Sequence, residues 1–249
     1  TCSFDVTVVD NTDPDITCPA DISVECTSAA GASVSYDTTA TDVGDDSLDM
    51  SYSAASGSTF AIGTTTVTVT ATDDSANVST CSFDVVVTDL NAPTITCAAA
   101  PASVEATSSS GAAVSYNAAT ATDIGDNDLS VIYSAASDST FAIGTTTVTA
   151  TATDDNGNSS SCSFAVTVVD TTVPTITCAA APGAAEATSP SGAAVSYDVA
   201  TATDIADDSV AITYSAASAS TFAIGTTTVT ATATDDSGNT DTCTFDVAV

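Results

Sequence analysis

From Thr64 to Thr72 the chain alternates Thr with Val or Ala, and from Cys81 onward Phe83, Val85 and Val87 alternate with Ser82, Asp84 and Val86. A period of two predicts strands with one buried and one exposed face. The intervening Asp73-Asp74-Ser75-Ala76-Asn77 consists of residues that tolerate left-handed backbone, so the two strands are expected to form a β-hairpin. Near-copies follow: Phe60, Phe141 and Phe222 lie 81 residues apart, and the hairpin turn recurs as DDNGN from Asp154 and DDSGN from Asp235. The chain is therefore a tandem array, with units long enough to hold a small core of their own.

Within the first full unit, Ile22 to Glu25 reads as an edge strand behind Pro19. Gly31 turns the chain into Ala32 to Tyr36, an acidic loop at Asp42 to Asp46 leads to Leu48 to Tyr52, and the hairpin closes the unit. About seven short strands with turn signals every 8 to 12 residues describe an antiparallel β-sandwich, immunoglobulin-like in architecture. No stretch has helical periodicity. The expected organisation is residues 1–10 as the last strand of a preceding truncated repeat, followed by sandwiches over 11–89, 90–170 and 171–249. The short linkers, containing Pro93 and Pro174, stiffen neighbouring domains against each other, so an extended rod is expected.

Composition narrows the function. The 249 residues include 32 acidic ones and no Lys, Arg or His, giving a formal charge of −32 and a pI near 4.1. Nucleic acid and anionic membranes are bound through cationic side chains, so neither is an expected partner. No membrane-inserting segment is present. Cations, or cationic partners, suit such a surface. Hydrophobic residues make up 43% and mean hydropathy is +0.28, so the chain is expected to fold rather than stay disordered. With no Trp and few aromatics the cores are thin, and cysteine adds stability.

The segments ITCPADISVE, TATD and SGSTFAIGTTTVTVTATDDSANVSTCSFDVVV resemble the hyalin repeat (HYR), a family of extracellular modules related to immunoglobulin and fibronectin III sandwiches. The resemblance covers essentially the whole chain. It implies a tandemly repeated extracellular or cell-surface spacer or adhesion module without enzymatic activity. Many bacterial members carry a second cysteine pair, one at a position like Cys26 and one just after TATD. Here Val43-Gly44-Asp45 follows Asp42 without a cysteine.

In a sandwich whose termini lie at opposite poles, the first and last strands start at the same pole. The expected disulfides are then Cys18 with Cys81, Cys97 with Cys162 and Cys178 with Cys243, in an oxidising compartment. Cys81 with Cys97 would require the last strand to fold back across its own linker. Cys2 is expected to pair within the remainder of its own preceding unit, and Cys26 is left over, either as a free thiol or as a link to another chain.

The same fold brings the linker, the TATD loop and the hairpin turn together where one unit meets the next. The acidic sets expected there are Asp10, Asp13, Asp42, Asp45, Asp73 and Asp74; then Asp89, Asn91, Asp123, Asp126, Asp154 and Asp155; then Asp170, Asp204, Asp207, Asp235 and Asp236. Glu25 and Glu105 would face the junction that follows their own unit. Carboxylates gathered without a cationic side chain repel one another unless a metal lies among them, and calcium, which takes 6 to 8 oxygens, is the candidate cofactor. Simple turn capping by Asp is the competing explanation. Asn77 and Asn158 fit the glycosylation sequon, whereas Asn239 does not.

Without His, Lys or Arg there is no imidazole base, Schiff-base amine or guanidinium clamp. A carboxylate pair could still serve a glycosidase, but the acidic residues recur at the repeat period, as structural positions do. Two non-enzymatic functions fit: the repeating material of a self-associating extracellular filament, or the stalk or ligand-binding region of a surface adhesin. Near-identity of the units favours the filament.

Overall fold

A computed structural model describes all 249 residues. The protein is all-β, and no helix is present. It forms two compact units. One comprises Thr1–Thr96, Ala119–Ile132 and Ala150–Cys162, the whole first repeat with the loops of the second that meet it. The other comprises Cys97–Ala118, Tyr133–Thr149 and Ser163–Val249.

In the first unit the opening repeat has eight strands: β1 (Asp15–Thr17), β2 (Ile22–Glu25), β3 (Ala32–Ser33), β4 (Thr39–Thr41), β5 (Asp49–Tyr52), β6 (Thr59–Phe60), β7 (Gly63–Thr72) and β8 (Val78–Thr88). One face of the sandwich is a four-stranded sheet in the order β2-β8-β7-β5, and the antiparallel pairs β1-β4 and β3-β6 complete it. The long hairpin is the frame. Its register places Val67 opposite Phe83 and Val69 opposite Cys81, and Val67, Val69, Ala71, Val85 and Val87 are fully or almost fully buried. Alternation decides this outcome: a one-residue slip would send the whole apolar set to solvent. Tyr36 packs edge-on against Phe83, with ring centroids 4.9 Å apart, and donates its hydroxyl proton to the Ala54 carbonyl.

The tight turn before β3 depends on Gly31. Its φ is +108°, and a Cβ there would lie 1.8 Å from the Phe60 carbonyl oxygen. No other residue fits both the backbone angle and the contact.

The second and third repeats follow the plan with smaller residues. Ala150 and Ala231 take the place of Val69 in the buried row. At roughly 0.8 kcal/mol per buried CH₂, that substitution removes about 1.5 kcal/mol of apolar burial per repeat. Disulfides offset such thin cores. Cys18 is bonded to Cys81, 63 residues away with Cα atoms 5.9 Å apart, and Cys178 to Cys243 across 65 residues. Cys97 and Cys162 are also disulfide-bonded.

One strand fades along the chain. β2 pairs in parallel with β8 over four residues, Ile22 to Glu25. Its counterpart in the second repeat keeps two, Val104 and Glu105. In the third, Gly183-Ala184-Ala185-Glu186 forms no strand, and the bond from Ala185 N–H to the Ala248 carbonyl remains. The β-branched residues thin from Ile22 and Val24 to Val104 to none, which follows β propensity.

Residues 1–10 differ from the expected terminal strand. They form no strand, and Phe4, Val6 and Val8 are 86, 76 and 91% exposed. They enter no sheet, and a strand alone is not stable in water.

Candidate metal centre

Strand ends deliver the acidic residues. Asp73 follows β7 and opens the hairpin turn, Asp42 follows β4, and Asp89 follows β8 at the other pole. In the first unit Asp89 meets Asp123 and Asp154 of the next repeat, with one carboxylate oxygen from each within 4.8 Å of the others. Asp10, Asp42 and Asp73 form an equivalent cluster in that unit, and Asp170, Asp204 and Asp235 form one in the second.

Turn chemistry builds these clusters without exhausting them. Asp123 Oδ1 accepts the Gly125 N–H at 2.7 Å and the Asp126 N–H at 3.1 Å. Asp42 and Asp204 likewise accept the N–H two residues on, from Gly44 and Ala206. Asp89 Oδ1 accepts the Asn91 N–H at 3.2 Å. In each loop the first oxygen is thus committed to its own backbone. The second oxygens of Asp42, Asp89 and Asp204 are buried and have no hydrogen-bond partner, one in each cluster. A buried carboxylate oxygen without a donor is costly unless a cation faces it.

The hairpin turn is held differently. Asp73 accepts N–H bonds from Ser75 and Asn77 through Oδ1 and the Asn77 side-chain amide through Oδ2. Burial pushes its carboxyl up, but the bonds from Asn77, Ser75 and Ala76 outweigh that and hold it below the ordinary carboxylate range. Asp154 behaves the same way, with Asn158, Asn156 and Gly157 as donors. Each turn Asn also reaches across to the preceding linker. Asn158 Nδ2 donates to the Asp89 carbonyl at 3.1 Å, and Asn239 Nδ2 to the Asp170 carbonyl at 3.2 Å. Asn239, which is in no sequon, uses its amide as Asn77 and Asn158 do.

The remaining acidic residues surround the clusters. Asp45, Asp126 and Asp207 accept the backbone N–H groups of Asp74, Asp155 and Asp236, tying the TATD loop to the hairpin turn. Asp13 is exposed and belongs to no cluster. Glu25 clasps the following linker through Leu90 N–H at 2.6 Å and Asn91 Nδ2 at 3.0 Å. Glu105 does so through Thr171 N–H and the Thr171 and Thr172 hydroxyls. The Thr171 N–H bond is the largest influence on Glu105, which lies below its ordinary value despite burial.

Cys26 is free and buried, whereas Cys2 is free and exposed. The Cys26 sulfur lies within 4.8 Å of oxygens from Glu25 and Asp89. Burial first, then the charge of Asp89 and a side-chain hydrogen bond with it, then the charges of Glu25 and Asp123, push its thiol up to about 11. A Cβ on Gly125 would stand 3.0 Å from this sulfur and 2.2 Å from Asp89 Oδ2. The segment after TATD that meets Cys26 therefore belongs to the next repeat, not to its own Val43-Gly44-Asp45. Sequence reasoning missed this neighbour because it looked for a partner within one unit, although the repeat period already paired each linker with the following TATD loop.

Residues 9–87, 88–168 and 169–249 each match the family profile described as HYR domain. The chain is 33% identical over 152 residues to hyalin of Strongylocentrotus purpuratus, an alignment covering 58% of this chain and 13% of that protein. Among solved structures it is similar to mouse cadherin-23 EC22-24, with a TM-score of 0.39, 13% identity and coverage of 96% of this chain and 99% of that one. Protocadherin gamma B2 extracellular cadherin domains 1-5 give a TM-score of 0.39 at 16% identity, covering 97% of this chain and 61% of that one.

Proposed function

The chain belongs to the HYR domain family, and from that premise we propose that it is non-catalytic structural material of an extracellular or surface assembly, with repeat junctions bridged by calcium. The observation that carries this reading is the orphaned carboxylate oxygen that recurs in all three clusters, on Asp42, Asp89 and Asp204. Calcium–oxygen distances of about 2.3–2.6 Å let one ion touch three oxygens that all lie within 4.8 Å of one another. The donors are hard oxygens, and the chain has no cationic side chain to neutralise them.

A bridging ion would fix the angle between consecutive repeats, because its ligands come from the end of one and two loops of the next. Stiff junctions repeated along a chain suit a filament that self-associates. The extracellular setting is supported by the hyalin relationship and by disulfides in all three repeats. The carboxylates sit at repeat-equivalent positions rather than forming one distinctive constellation, which supports a structural over a catalytic role. The Asn77 and Asn158 sequons remain candidate glycan sites whose amide groups already hold the turn.

Calorimetric titration of the chelated chain with calcium, together with electron microscopy of the assembled material, tests the reading. Expected are saturable calcium binding and filaments that soften in chelator. Stabilisation should reach about 2.7 kcal/mol per site at a calcium level 100 times its dissociation constant. Absence of calcium binding removes the bridge. Separate monomers indifferent to chelator would move the reading to an adhesin spacer.

A further inference from the structure

We propose that the first junction holds a second metal site, for a thiophilic divalent ion such as Zn²⁺, built from the Cys26 sulfur and carboxylate oxygens of Glu25 and Asp89. The three ligand atoms already lie within 4.8 Å of one another. Zinc bonds of about 2.3 Å to sulfur and about 2.0–2.2 Å to oxygen bring all three onto one ion after small side-chain rotations. Water or Asp123 completes a tetrahedron.

Two independent features point to a ligand here. Asp89 is only 5% exposed, yet its Oδ2 has no hydrogen-bond partner and faces the space over Gly125, where the Cys26 sulfur also converges. The same approach of a carboxylate to a loop glycine recurs between Asp10 and Gly44, but the cysteine is specific to this junction. At the equivalent point of the second unit, Ala106 replaces the cysteine and Ala206 replaces the glycine, and the two methyl groups belong to one packed apolar cluster. Where the second junction is filled with carbon, the first keeps a sulfur and a buried carboxylate oxygen without a hydrogen-bond partner.

A merely structural cysteine sits among apolar neighbours, and alanine serves that purpose in the next repeat. Cys26 belongs to the buried apolar cluster with Ala32, Val34 and Phe60, but its sulfur also lies within 4.8 Å of carboxylate oxygens of Glu25 and Asp89, which suits a metal that prefers a thiolate beside oxygens. On binding, the S–H bond breaks, an S–Zn bond forms, and the proton passes to solvent without electron transfer. The site stands on Cys26 whether or not the neighbouring carboxylates take calcium. Because Asp89 belongs to both ligand sets, occupation of one site should alter affinity at the other.

The test uses the full chain with its disulfides intact and Cys2→Ser to silence the exposed thiol. Co²⁺ serves as the spectroscopic probe and Zn²⁺ as the competitor. Expected are a thiolate-to-cobalt charge-transfer band that saturates at one equivalent, proton release in step with it, and loss of both on adding Zn²⁺ or on Cys26→Ala. Ala106 shows that alanine is accommodated at the equivalent position, and a single cooperative thermal transition of the Cys26→Ala chain would verify its folding. Asp89→Asn should weaken the band's binding isotherm. No charge-transfer band in the Cys2→Ser chain, or a band that survives Cys26→Ala, overturns the proposal. Calcium titration of the Cys26→Ala chain separates this failure from failure of the carboxylate bridge.

Discussion

The junction built on Asp89 and the one built on Asp170 share most of their parts and differ in one corner. In both, a linker aspartate, a TATD aspartate and a hairpin aspartate converge, and a turn asparagine ties down the linker carbonyl. In both, the preceding Glu holds or is placed to hold the linker from below. The corner differs through two coordinated exchanges, Cys26 for Ala106 and Gly125 for Ala206. Cluster geometry is thus a property of the repeat, set by strand ends and turn bonds that recur. The chemistry beside it is set by two positions that face each other across repeats and leave the strands untouched.

The largest way to break the comparison is to loosen one side of it. Removing the third repeat's disulfide by Cys178→Ala with Cys243→Ala frees a 65-residue loop and should cost about 4 kcal/mol in the chain-entropy model. The Asp170 junction should weaken with it, since Asp235 is carried by the hairpin that contains Cys243. The Asp89 junction lies in the other compact unit and should keep its cation affinity. Thermal unfolding combined with calcium titration reads both outcomes, and equal loss at both junctions would show that they are not independent.

A smaller effect comes from converting one corner into the other. Gly125→Ala places a methyl 2.2 Å from Asp89 Oδ2 and should cost about 1–3 kcal/mol by overpacking. Cys26→Ala alone leaves a void. Together they recreate the Ala106 and Ala206 packing of the other junction, so the double variant should be more stable than the sum of the singles by about 1 kcal/mol. Additive costs in denaturant unfolding would mean that the two positions do not touch in solution.

Acid separates the junctions more gently. Glu105 is held below its ordinary value by the Thr171 and Thr172 donors. A depressed carboxyl contributes stability that is present above its unfolded value near 4.5 and is lost as pH falls through the lower folded value. Glu105→Gln should therefore flatten the acid limb of the stability profile below about pH 4.5. Melting temperature against pH checks this, and an unchanged acid limb would mean that the linker bonds form equally well to the amide.

Much of this could be read in the sequence, and the exceptions have physical causes. Period-two alternation located the long hairpin, because burial of Val67, Val69, Val85 and Val87 leaves no other register. The expected sandwich, together with the repeat period, placed Asp42, Asp73 and Asp89 in loops at strand ends. Which carboxylate oxygen is spent on a turn and which is left over depends on side-chain rotation, so the orphaned oxygens could not be seen in advance. The loss of β2 along the array is a graded effect of single substitutions such as Val24 to Ala185, too small to alter a pattern match. The neighbour of Cys26 was hidden because it lies across a repeat boundary, where spacing within a unit carries no information.

The smallest test concerns the hairpin turn that positions the third ligand of each cluster. Ala76 has φ +69°, where its counterparts Gly157 and Gly238 have +91° and +90°. A side chain in this region meets the following carbonyl, at a cost of about 1–2 kcal/mol, partly offset by the greater unfolded-state freedom of glycine. Ala76→Gly should therefore stabilise the first repeat by about 0.5–1 kcal/mol, and Gly157→Ala should cost a similar amount in the turn that meets Asp89. The second change carries further. Asn158 lies next to Gly157 and holds both Asp154 and the Asp89 carbonyl, so strain in the turn should lower cation affinity at the first junction while leaving the second unchanged. If Gly157→Ala lowers stability but leaves cation affinity intact at both, the turn supports the hairpin only, and the metal ligands are positioned by their own capping bonds.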